Sequence, residues 1–118
     1  MGPNLTINID DHTEDNDYTV VKFEGEFDKA GHNEIHDELS KCVKDFSGKY
    51  LIFDFSRLKF INSEGIGYLM EVHTHLSQRD RKLVIVGLNS HVSDVFKTIG
   101  IAEVVTIHPS LDDFLKEI

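Results

Sequence analysis

Apolar residues in this chain first alternate with polar ones, then recur at helical intervals, and the switch repeats along its length. Leu5, Ile7 and Ile9 alternate with polar neighbours, the period of a half-buried strand. YTVVKFEG (18–25) predicts a second strand. DDHTEDND between them (10–17) has five carboxylates and no apolar residue, which predicts a solvated hairpin loop. Ile35, Leu39, Cys42, Val43 and Phe46 then form one stripe of a helix from about Gly31 to Phe46, ended by Gly48. YLIFDF (50–55) is almost continuously apolar, as a strand covered on both faces must be. From Ser63 to about Gln78 the pattern is helical again, with Ile66, Leu69, Met70, His73 and Leu76 on one side. KLVIVGL (82–88) predicts another buried strand, followed by a short helix, Ser90 to Ile99, that carries Val92, Val95, Phe96 and Ile99 and is closed by Gly100. Val104, Val105 and Ile107 predict the last strand. Leu111, Phe114, Leu115 and Ile118 give the apolar face of a terminal helix begun by Pro109 and Ser110.

After the first strand, strand and helix alternate, which predicts an α/β fold. Short right-handed crossovers favour a mostly parallel sheet, with the first strand added antiparallel through its hairpin. In such sheets ligands and partners meet the loops at the carboxyl ends of the strands. GEFDKAG (25–31) and INSEG (61–65) both fall there.

Composition narrows the function. A chain of 118 residues suits one domain able to bury about two-thirds of its unfolded surface. Its 21 carboxylates against 12 Lys and Arg give a net charge of −9, which repels nucleic acid and anionic membranes. Neither direct nucleic-acid binding nor membrane insertion is expected, since the longest apolar runs, such as Leu83 to Val86, are far too short to span a bilayer. The start MGPNLTINID lacks a charged and then apolar leader, so a cytoplasmic location is expected. A lone cysteine, Cys42, fits that reducing compartment and lies on a helix stripe as a core thiol. The Asp spacing in 10–17 has the look of a calcium loop but lacks its mid-loop Gly and distal Glu.

KFINSEGIG (59–67) is the stretch with most chemistry. Ser63 before Gly65 is half of a nucleophile elbow, but Ile61 stands where the leading Gly belongs. Gly65 and Gly67 do not complete a phosphate-binding fingerprint, because Met70 occupies the third glycine position. His32 and His36 lie one helical turn apart, without a third metal ligand at suitable spacing. No catalytic residue, metal or dedicated cofactor is therefore expected. Ser63 is a natural N-cap, and Glu64 suits the positive end of the helix dipole. Glycines in an opening turn cost about 1 kcal/mol each relative to Ala, and their compensation is bare backbone that a neighbour or partner can approach.

GEFD after a strand, then YLIFDFSRLKFINSEGIGYLMEVHTHL, then KLVIVGLNSHVSDVFKTIGI resemble the STAS family, the sulphate-transporter and anti-sigma-factor-antagonist domain. The likeness runs from about Val20 to the C-terminus. Asp54, Phe55 and Ser56 match its D-L-S, and Ile61 to Gly67 match its I-D-S-S-G-L-G. The resemblance implies a single STAS domain over 1–118, a mostly parallel mixed sheet of about five strands with four helices. It also implies an anti-sigma factor antagonist, not an enzyme. Such a protein binds an anti-sigma factor that is also a serine kinase, and a phosphatase reverses the modification. The kinase target maps onto Ser63, with Asp28, Asn62, Ser63, Glu64, Gly65 and Gly67 at the partner surface and Ser56 as a lesser acceptor in the loop after the third strand. Asn62 replaces the family's Asp, and Glu64 its second Ser or Thr. A nucleotide-binding sensor and a non-switching adaptor subunit of a larger complex are the alternatives that the resemblance leaves open.

Overall fold

The computed structural model describes residues 2–13 and 17–118. The elements run β1 (Leu5–His12), β2 (Tyr18–Phe27), α1 (Lys29–Asp45), β3 (Tyr50–Ile61), α2 (Ser63–Ser77), β4 (Lys82–Val86), α3 (Ser90–Ile99), β5 (Thr106–His108) and α4 (Leu111–Leu115). The strands form one sheet in sequence order, β1 antiparallel to β2 and every later neighbour parallel. Each crossover advances by one strand in the same direction, so right-handed connections place α1, α2 and α3 on one face.

Strand alternation splits the apolar runs between the two faces. Leu51, Phe53 and Phe55 of β3 join Phe23, Leu39, Leu69 and Phe96 in the larger core, under α1 to α3. Ile52 turns the other way and meets Val20, Val84 and Val86 around Phe114 of α4. Burial on both faces explains why YLIFDF is apolar at nearly every position.

Several boundaries differ from the sequence reading, each for a tertiary reason. Asp10 to His12 belong to β1, paired with Tyr18 to Val20, so the connection is shorter than the expected loop 10–17. Residues 14–16 of that loop, and with them the calcium-like spacing, lie outside the described residues. Ile9 is 37% exposed, since Leu5 and Ile7 are the apolar residues of β1 that pack against the core. β3 does not end at Phe55 but continues to Ile61, Arg57 to Ile61 pairing with Glu24 to Phe27 through two register shifts. These bulges let Phe55, Leu58 and Ile61 all point inward at intervals of three, a spacing that reads as neither strand nor helix.

β4 stops at Val86, where Gly87 takes a positive φ of 77°. Val104 and Val105 follow a 3₁₀ turn (Ile101–Glu103) and precede β5; only Val105 is buried. Helix α2 is rotated from the expected stripe: Gly65, Tyr68, Leu69, Val72 and Leu76 face the core, while Ile66, Met70 and His73 are half-buried. Ile118 is outside α4 and 51% exposed. Cys42 is half-buried against the core, and burial, aided by nearby Asp11, Glu38 and Asp45, raises its pKa to about 11. No helix among the described residues is long and apolar enough to cross a membrane.

Candidate functional site

The last ladder pair between β2 and β3 is Phe27 opposite Ile61. The next residue in each strand is the N-cap of a helix, so two helix N-termini emerge side by side at the carboxyl end of the sheet. Asp28 caps α1, its Oδ1 accepting from the Gly31 N–H at 2.8 Å. Asn62 caps α2, its Oδ1 accepting from Glu64 N–H at 3.0 Å and Gly65 N–H at 3.4 Å. The Asn62 N–H itself donates to the Phe27 carbonyl at 3.3 Å, tying the second cap to the end of β2.

Capping is thus performed by Asn62, not by Ser63 as expected. Both are good caps, and Asn62 is the last residue with extended backbone (φ −120°, ψ −170°). Ser63 becomes the first helical residue. It is exposed, and its hydroxyl has no hydrogen-bond partner among the described residues.

The two glycines have different causes. A β-carbon on Gly65 would lie 2.6 Å from the Phe27 carbonyl oxygen and 2.7 Å from Ile61 Cγ1, so its bareness serves the docking of α2 on the strand ends. A β-carbon on Gly67 would meet nothing within 4 Å. No neighbour among the described residues requires Gly67 to be bare, and it sits one helical turn beyond Ser63.

Ser63, Glu64 and Gly67 border a cleft of about 260 Å³ together with His32, Tyr68 and Glu71. His32 Nδ1 stands 4.0 Å from Glu64 Oε2, with the His32 side chain 18% exposed and that of Glu64 49%. The imidazole packs 4.5 Å from the Tyr68 ring and 6.1 Å from Phe27, centroid to centroid, and edge-on to His36 at 5.1 Å. Desolvation lowers the His32 pKa, reinforced by His36 and opposed by Glu64 and Glu71. Burial raises that of Tyr68, whose hydroxyl shares a 3.0 Å hydrogen bond with Ser40.

Of the residues read from the sequence, the fold brings Asp28, Asn62, Ser63, Glu64, Gly65 and Gly67 to one end of the sheet. Ser56 lies within β3 instead of a loop, and its hydroxyl is engaged, donating to Asp54 Oδ1 at 2.7 Å. The described residues contain no group of three or more His, Cys, Asp or Glu able to hold a metal ion. Sequence reasoning weighed His32 only as a metal ligand and missed Tyr68, because their contact joins two helices. Phe60, beyond the strand expected at 50–55, is 37% exposed and stacks on His91 at 5.7 Å near the same end.

The family model described as STAS domain matches residues 8–114. The chain belongs to the STAS domain family. Among curated relatives, the anti-sigma-B factor antagonist of Staphylococcus aureus is 23% identical over 104 residues, covering 88% of this chain and 94% of that one. Among solved structures, an anti-sigma factor antagonist from Mycobacterium paratuberculosis superposes with a TM-score of 0.83 at 23% identity, over 97% of this chain and 93% of the other. The anti-sigma factor antagonist SpoIIAA in its unphosphorylated form gives 0.75 at 19% identity, over 96% and 98%. The Bacillus cell fate determinant SpoIIAA in its phosphorylated form gives 0.70 at 17%, over 95% and 98%. These neighbours share the five-stranded mixed sheet and four-helix STAS fold seen here.

Proposed function

We propose that this STAS domain is an anti-sigma factor antagonist, a cytoplasmic binding protein and not an enzyme, switched by reversible phosphorylation of Ser63. Its partners are an anti-sigma factor that is also a serine kinase, and a phosphatase. The reading rests on one observation above the rest: Ser63 offers an exposed hydroxyl with no hydrogen-bond partner among the described residues at the mouth of α2, because Asn62 has taken over the cap. The relatives named as antagonists, one of them known in unphosphorylated and phosphorylated forms, support it.

The parts divide the work. Asp28 and Asn62 set the two helix mouths, Gly65 lets α2 dock, and Ser63, Glu64 and Gly67 present the surface that the partner covers. Transfer breaks the bond between the γ-phosphorus of ATP and its β,γ-bridging oxygen, releases ADP, and forms a P–O bond to Ser63 Oγ, whose proton is released. The added charge, about −1.5 to −2, is tolerated at a helix N-terminus but leaves a mismatched anion inside a protein interface. That mismatch costs about 2–5 kcal/mol, or roughly thirty to several thousand-fold in affinity. Incubated with the cognate kinase and ATP, the chain is expected to gain the mass of one phosphoryl group, and Ser63→Ala none. An unchanged intact mass of the parent chain overturns the switch.

A further inference from the structure

We infer that His32 is the positioning residue of the modified site, the counter-charge that holds phosphorylated Ser63 against its own chain. The inference rests on the reading of Ser63 as a phosphorylation site. Six residues line the cleft beside Ser63, and His32 is the one among them able to carry positive charge; no Lys or Arg lines it. A dianion placed there finds Glu64 and Glu71 as like charges and His32 as its only counter-ion among those side chains.

The imidazole is arranged for a change of state. Its Nε2 is buried without a hydrogen-bond partner among the described residues, and its Nδ1 reaches Glu64 only at the 4.0 Å limit of an ion pair. Packing against Tyr68 and Phe27 holds the ring, and reorientation toward a phosphoryl group breaks no short hydrogen bond. The titratable groups facing it are His36 on α1 and Glu64, Glu71 and Tyr68 on α2; β2 contributes only the Phe27 ring. In the unmodified chain, desolvation disfavours the protonated form of His32. An opposite charge within about 4–6 Å raises the proton affinity of such a group by one to three pH units. By linkage the same coupling lowers the second pKa of the phosphate.

The test needs no kinase. Phosphoserine is introduced at position 63 by genetic encoding, and the His32 imidazole is titrated by NMR in the unmodified and phosphorylated chains. The phosphate is titrated by ³¹P NMR in the parent and in His32→Gln. The His32 midpoint is expected to rise by about one pH unit or more on phosphorylation, well beyond any change at His75. The phosphate midpoint is expected to lie lower in the parent than in His32→Gln. An unchanged His32 midpoint overturns the inference, and so does a phosphate midpoint indifferent to His32→Gln. If His32→Gln does not fold, the His32 titration alone decides. A responsive His32 in a chain that no kinase accepts sinks the switch and leaves this coupling standing; efficient phosphorylation with a silent His32 does the reverse.

Discussion

The carbonyl oxygen of Phe27 lies 2.6 Å from the point where a β-carbon on Gly65 would stand. The end of β2 and the first turn of α2 therefore meet backbone to backbone. This contact sets the height at which Ser63 leaves the sheet.

Substituting the two glycines separates architecture from surface. Gly65→Ala forces a methyl into the Phe27 carbonyl and is expected to destabilise the fold by about 1–3 kcal/mol. Gly67→Ala meets open space and is expected to stabilise by up to about 1 kcal/mol through helix propensity. Urea denaturation of both variants checks the signs; equal effects would mean that Gly67 is also packed.

Capping predicts a second contrast. Asn62→Ala removes the acceptor for the N–H groups of Glu64 and Gly65 and is expected to cost about 1 kcal/mol. Ser63→Ala removes a hydroxyl with no hydrogen-bond partner among the described residues and is expected to stay within about 0.5 kcal/mol of the parent. A larger loss for Ser63→Ala in thermal unfolding would reverse the cap assignment.

Partner binding should follow charge at Ser63. Ser63→Ala is expected to bind the anti-sigma factor with the parent's affinity and to lose sensitivity to kinase and ATP. Ser63→Asp is expected to bind at least about tenfold more weakly, a carboxylate carrying less charge than a phosphate. Calorimetric titration with the cognate partner measures all three chains, and equal affinities would remove regulation from this position.

Acid should loosen the fold through its histidines. Desolvation lowers the pKa of both His32 and His75 in the folded chain. The unfolded chain, with ordinary values near about 6.5, then binds more protons, so stability rises with pH across this window. It is fully present above the ordinary value and is lost as pH falls below it toward the depressed folded values. Asp11, whose pKa is lowered chiefly by hydrogen bonds from Thr13, adds a separate loss in the more acid carboxylate range. The urea midpoint is expected to fall between pH 7 and pH 5, and to fall less in the double variant His32→Gln, His75→Gln. An identical pH profile for parent and double variant would place the acid sensitivity elsewhere.

Much of this architecture was legible because burial on one face is a local pattern. The period of two in LTINI, the helical stripe of Ile35, Leu39 and Val43, and the two-faced apolar run YLIFDF each announce an element without reference to distant residues. The motif INSEG also stood out, and with it Asp28, Asn62, Ser63 and Glu64. Less legible was the second half of β3, where bulges against β2 space Phe55, Leu58 and Ile61 by threes. The inward face of α2 was misjudged for a related reason. Tyr68 and Val72 pack inward because Gly65 seats the helix on Phe27, and Phe27 belongs to a strand far from α2 in the sequence.

The order of the elements, their α/β class and the end of the sheet that bears the unusual residues were written in the chain, since each depends on hydrophobic periodicity and short crossovers. Which of two adjacent cap-forming residues would close α2 was decided by the tertiary structure. β2 and β3 stop pairing at Phe27 and Ile61, so extended backbone ends on Asn62 and the serine hydroxyl is left over. The company of His32 was decided in the same way. Glu64 and Tyr68 come from a helix more than thirty residues away, and their meeting depends on two strands ending side by side.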